Sequence, residues 1–125
     1  MRGRVRLSPD TFTPNQRDTM KIKHGDNGFH IITSTGFVLS VQYGAGNYGS
    51  NYNSFNYSMK GKNVPEAETV EIAIWKNDDK QFIRLGNDDV AGYVPVSLLP
   101  KIMLDLEENN LAVAIHRITS RELSN

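Results

Sequence analysis

Gly44, Gly46 and Gly49 stand in the spacing G-x-G-x-x-G directly after a β-prone run. In a dinucleotide-binding loop that spacing gives a tight turn and aims backbone N–H groups at a pyrophosphate. The context for such chemistry is missing here. A helix should open at the third glycine, whereas Ser50-Asn51-Tyr52-Asn53 is poor helix material and no βαβ crossover follows. What remains is a glycine loop whose exposed amides form an anion-binding nest centred on Gly44 and Gly46. Four aromatics fall in the ten residues from Tyr48 to Tyr57, namely Tyr48, Tyr52, Phe55 and Tyr57. With Tyr43, Trp75 and Tyr93 they offer stacking faces for a flat ligand such as a base. For Tyr43 and Trp75 the competing reading is an ordinary place in a sheet. Gln42, Asn47 and Asn51 supply polar edges, and Arg84 is the cation to watch as an anion partner, against the plainer reading of a solvent-facing strand residue.

Other chemistries find less support. The sequence has no cysteine, hence no thiol nucleophile, zinc ribbon or disulfide framework. His24, His30 and His116 lack metal-ligand spacing, and no serine sits in a G-x-S-x-G elbow. Asp78-Asp79 and Asp88-Asp89 fit no EF-hand loop and read as turns. We therefore expect no catalytic residue, no metal and no cofactor, and a binding protein rather than an enzyme.

The 125 residues carry 14 Lys plus Arg against 14 Asp plus Glu, a net charge of zero that argues against general nucleic-acid binding. Arg2, Arg4, Arg6 and Arg17 concentrate four of those cations in residues 1–19, with Asp10 and Asp18 as the only acids there. That stretch has two prolines and no periodicity. It reads as a flexible leader, with Met20 as a candidate native start and residues 20–125 as a single domain. The alternative is a basic arm that contacts nucleic acid. No signal-peptide core or membrane span is present, and a cytoplasmic location is the default. A hydrophobic fraction of 38 % and a mean hydropathy of -0.45 imply a modest core that a second copy completes, so a homo-oligomer is expected.

The elements that must position the loop follow from pattern. Met20 to Lys23 reads as an opening strand. Phe29 to Thr33 and Phe37 to Tyr43 have high β-propensity and are joined through Ser34-Thr35-Gly36 as a hairpin. Phe37, Leu39, Val41 and Tyr43 share one face, assigned to the core, while Val38, Ser40 and Gln42 share the other. Residues 44–65 carry no periodicity and form a long loop, a length that is usually functional. Glu68 to Lys76 alternates as the clearest strand, turning at Asn77-Asp78-Asp79-Lys80 into an antiparallel return, Gln81 to Leu85. A second loop runs to Tyr93. Ser97 caps a helix through Glu108, with Leu98, Leu99, Ile102, Met103 and Leu106 on one face. Leu111 to Ile118 is a last strand or a helical continuation. The expected fold is α+β: an antiparallel sheet of about five or six strands from two hairpins, with one amphipathic C-terminal helix packed on one face.

Three stretches in this order, Ser40 to Tyr48, Val70 to Trp75 and Asp89 to Pro95, resemble a family of short orphan proteins of bacteriophages and prophage regions. That family carries a strand ending in S-[IV]-Q-[FY]-G-x-G-N-Y, then [AV]-E-I-A-x-W, then D-V-x-G-[WY]-x-P and a final helix. The chain departs from it at Gly49, where cysteine is frequent, and at Tyr93, where tryptophan is common. The resemblance implies a phage accessory gene expressed in a host cytoplasm, and no mechanism. Combined with the loop chemistry it leads to two expected partners: a small nucleotide-like ligand sequestered from host defence, or a host defence protein on which the Gly/Asn/Tyr loop docks. A small enzyme without a recognisable motif is the third reading.

Overall fold

A computed structural model describes residues 19–53 and 65–121. The leader expected over residues 1–19, save Thr19, lies outside the described residues, as do Phe55 and Tyr57.

Five strands form one antiparallel sheet in chain order: β1 (Lys21–His24), β2 (Gly28–Ile32), β3 (Phe37–Gln42), β4 (Thr69–Lys76) and β5 (Ala91–Pro95). The β2–β3 turn closes where the sequence placed it, with Gly36 at φ 97° and its N–H donating to the Thr33 carbonyl at 3.1 Å. The α+β expectation holds, with a difference at each end of the second half.

The return strand expected at Gln81–Leu85 shrinks to a single bridge, Trp75 opposite Phe82, with Ile83 N–H donating to the Ile74 carbonyl at 2.8 Å. Leu85 then pairs back onto Asp88 through Gly86 at φ 84°. The strand that pairs with β4 on the side away from β3 is β5, which the sequence left in a loop. Ala91 and Val94 are buried beside Ile72 and Val70, so the apolar content of β5 decides the pairing, across an irregularity between Val70 and Ile72. Pro95 is tolerated because it closes an edge strand.

At the C-terminus there are two helices. Val96–Leu98 is a 3-10 turn running into α1 (Leu99–Glu107), with Pro100 in its first turn, and α2 follows at Leu111–Ser120. Ser97 caps nothing: Leu98 is the N-cap residue of α1 and no side chain makes the capping bond. The break falls at Asn109-Asn110, where Asn109 takes φ 61°, a left-handed geometry that asparagine tolerates. Of the two readings of residues 111–118, the helical one is correct.

Ile102 and Leu106 of α1 and Ala114 and Ile118 of α2 share one core with Leu39, Val41, Ile72, Ile74 and Val94. Asp105 and Arg117, both buried, join the helices through a forked pair, Nε to Oδ2 at 2.8 Å and Nη2 to Oδ1 at 3.2 Å. Glu107 accepts the Ser34 N–H at 3.0 Å, fastening the end of α1 to the β2–β3 turn. Both helices therefore serve one face of the sheet, and the opposite face is left to its own side chains.

Candidate functional site

Strand alternation puts Ser40 and Gln42 of β3 on the helix-free face, opposite Ala73 and Glu71 of β4. Ser40 and Ala73 are small, so the face is hollow between larger neighbours. Trp75 stands on one side, opposite Val38, and the bridge at Phe82 lays a second ring on it, centroids 5.1 Å apart and 18° between planes. His30, which pairs with Ser40, meets the Trp75 ring edge-on at 5.2 Å. These rings explain why Val38 and Ser40 are buried on a face that no helix covers. On the other side stand Asp26 and Asn27 from the β1–β2 turn and Asn47 from the glycine loop. The result is an open groove of about 350 Å³, with an aromatic wall, a small-residue floor and an amide and carboxylate wall.

The polar wall is tightly wired. Gln42 Oε1 accepts the Asn27 N–H at 2.8 Å while its Nε2 donates to Ser40 Oγ at 3.2 Å. Asn47 Oδ1 accepts from Gly44 N at 2.9 Å and from Asn27 Nδ2 at 3.3 Å. Glu71 Oε1 accepts from Asn47 Nδ2 at 2.9 Å and from Tyr48 N at 3.2 Å. The glycine loop is thus folded onto the sheet by the Glu71 carboxylate and the amides of Asn27 and Asn47, with Gln42 holding the Asn27 backbone.

That wiring revises several expectations. The anion nest is spent internally: Gly44 N–H goes to Asn47, Gly46 N–H to the Tyr52 carbonyl at 3.0 Å, and Tyr48 N–H to Glu71. Asn51 is buried, and its Nδ2 donates to the carbonyls of Tyr43 at 2.7 Å and Pro65 at 2.8 Å, stapling the two ends of the loop. Arg84 donates to the Asn87 carbonyl in its own turn and does not line the groove. Tyr48 and Tyr52 stack on each other, centroids 5.4 Å apart and 9° between planes, exposed and outside the groove. Tyr93 lies beside them, its N–H donating to the Tyr48 carbonyl at 2.8 Å. Of the residues singled out from sequence, the structure therefore gathers Gln42, Asn47 and Trp75 in the groove and Tyr48, Tyr52 and Tyr93 in a separate patch.

Glu71, Asp26, Asn27, Ser40 and Phe82 are groove residues that sequence reasoning passed over. Glu71 had a usable signal: it shares a strand face with Trp75, two positions from Ala73. Phe82 had none, because its place depends on the bridge that replaced a strand. Among the described residues no group of three or more histidines and acids is placed to hold a metal ion, and no helix is long and apolar enough to cross a membrane. No family model, curated protein or solved structure matches the chain.

His30 carries a pH dependence. Burial against Trp75 pushes its pKa below the usual histidine value, Lys23 adds to the depression, and Asp26 opposes it. The unfolded chain consequently takes up a proton first as the pH falls below about 6.5. The stability held by neutral His30 is complete above that pH and is lost as the pH drops toward the lower folded-state value. Thermal melts between pH 8 and pH 5 should show a steeper acid-side fall in Tm for the native chain than for His30→Gln. A steeper fall in the variant would contradict this assignment.

Proposed function

We propose that the chain is a non-enzymatic binding protein that seats a flat, base-like ring in the groove on its helix-free sheet face. The observation that carries this reading is the Trp75–Phe82 stack standing across a small-residue floor from amides and carboxylates, a combination that grips a planar ring by its face and its edge. The phosphate contacts expected from the glycine loop form no part of it, since those amides are already bonded. In the phage accessory context that the sequence motifs suggest, such a protein sequesters a nucleotide-like host defence signal. Self-association fits this role, and the fully exposed edge strand β1, with Ile22 69 % exposed, favours it.

A second reading has an observation of its own. The exposed stack of Tyr48 and Tyr52, with Tyr93 beside it at 51 % exposure, is a rigid aromatic patch suited to docking on a host defence protein.

Trp75 is the chain's single tryptophan, so its emission reports the groove directly. A panel of nucleosides and nucleotides should give saturable quenching by at least one member, recovered chemically unchanged, and native mass spectrometry of gently purified protein should show a complex of that mass. No quenching across the panel, or a ligand returned as product, would sink the proposal.

A further inference from the structure

The charged groups lining the groove are Asp26 and Glu71, both acidic; no lysine or arginine lines it. Its free hydrogen-bonding capacity leans the same way, toward acceptors. The NH2 groups of Asn27, Gln42 and Asn47 each spend one of their two N–H bonds on a neighbour, which leaves at most one donor apiece. Acceptors are in surplus: among the described residues Glu71 Oε2 and the Asp26 carboxylate receive no hydrogen bond. A carboxylate accepts only, so a group that meets Glu71 or Asp26 must donate. The facing wall presents aromatic rings, whose electron-rich faces favour a neighbouring positive charge.

Resting on the reading of the groove as a ring-binding site, we infer that its ligand presents a cationic, N–H-bearing edge, a ring carrying an ammonium or amidinium group, to Glu71 and Asp26. The groove discriminates by charge: it accepts the cation, tolerates the neutral isostere and rejects the anion. Any phosphate on the same ligand projects out of the groove, away from the two carboxylates.

Benzamidine, benzamide and benzoate share one planar shape and carry charges of +1, 0 and −1, so binding of the three to the full chain isolates charge from fit. Benzamidine is expected to bind about tenfold tighter than benzamide, the size of one charge-assisted hydrogen bond, with benzoate weakest and the benzamidine advantage shrinking as salt rises. Glu71→Gln keeps the Oε1 acceptor that holds Asn47 and Tyr48 while removing the charge. Asp26→Asn alters an exposed side chain that makes no hydrogen bond among the described residues, and keeps the test alive if Glu71→Gln fails to fold. Each variant should cut the benzamidine advantage severalfold, and the double variant should abolish it. Equal binding of the three probes, a preference for benzoate, or an advantage that survives both substitutions overturns the inference. Nucleosides that quench Trp75 while benzamidine gains nothing would defeat this inference alone; silence from every flat probe would defeat the ring-binding reading with it.

Discussion

Gly28→Ala is expected to be among the most damaging single substitutions in the sheet. Gly28 opens β2 opposite Gln42, and a Cβ there would stand 1.8 Å from the Val41 carbonyl oxygen and 2.9 Å from the Val41 carbonyl carbon. Both neighbours are backbone atoms of the central strand β3, so no side chain can rotate away and the β2–β3 ladder itself must open. The cost belongs at the top of the overpacking range, about 3 kcal/mol, which for a domain of this size lowers Tm by roughly 10–20 °C. The Val41 shift also displaces Gln42, whose Oε1 holds the Asn27 N–H, so the groove should loosen with the fold. Gly36→Ala is the matched control: at φ 97° it carries a conformational penalty, but nothing lies within 4 Å of its Cβ, and it should cost only about 1 kcal/mol. Paired thermal melts decide the matter. A Gly28→Ala protein melting within a few degrees of the parent, or one hurt less than Gly36→Ala, would show that the strands are not so closely opposed.

The same residue shows how far the sequence could be read. Gly28 belongs to a run of turn formers and looks like turn material, yet its need for glycine comes from a strand neighbour thirteen positions away, a contact that local composition cannot express. Alternation was legible: Leu39, Val41, Ile72 and Ile74 fall on the buried face and Gln42, Glu71 and Trp75 on the other, because period-two patterning is a local property of a strand. Which segment pairs with β4 was not legible. Gln81–Leu85 and Ala91–Pro95 are both plausible strands, and the outcome turns on which one buries more against a core that exists only after folding. The loop misled in an instructive direction. Glycine, asparagine and tyrosine are the residues of adaptable binding loops, and also those that let a loop fold tightly onto a sheet. Asn51 and Asn47 spend their amides on the second task, so polarity in the sequence did not translate into free polarity on the surface.

The accounting of donors and acceptors also explains why the helix-free face has the shape it does. Glu71 could have closed the β3–β4 face as a simple surface acid. Instead one of its oxygens pins the glycine loop through Asn47 and Tyr48, which draws the loop to the rim and raises the wall of the groove. The aromatic side is built by comparable economy: one bridge at Phe82 delivers a ring to Trp75 without a full sixth strand, leaving Phe82 48 % exposed. The partly exposed aromatic stack faces an acidic, acceptor-rich wall across the groove, and the ring-shaped ligand we propose would cover both at once.

Trp75→Ala should therefore remove ligand binding while leaving the helices and core in place. The Trp75 ring is the central aromatic of the groove, half-buried, perpendicular to His30 and stacked on Phe82, and aromatic anchors that a ligand covers account for about 2–4 kcal/mol of binding. Lost, that corresponds to an affinity lower by roughly 30- to 1000-fold. Because Trp75 also shelters Val38, the variant will melt somewhat lower, and a fall in binding could then be blamed on the fold. Phe82→Ala separates the two effects: its ring is half exposed and sits on a connection outside the core, so it should weaken binding about tenfold with little change in Tm. Tyr48→Ala and Tyr52→Ala, whose rings lie outside the groove, should leave affinity for a flat ligand untouched. Isothermal titration with whichever nucleoside or nucleotide quenches the parent reads all four variants on one scale. If Trp75→Ala and Phe82→Ala bind as the parent does while the tyrosine variants fail, the groove is not the site, and the exposed Tyr48–Tyr52 stack takes its place as the surface through which this chain meets its partner.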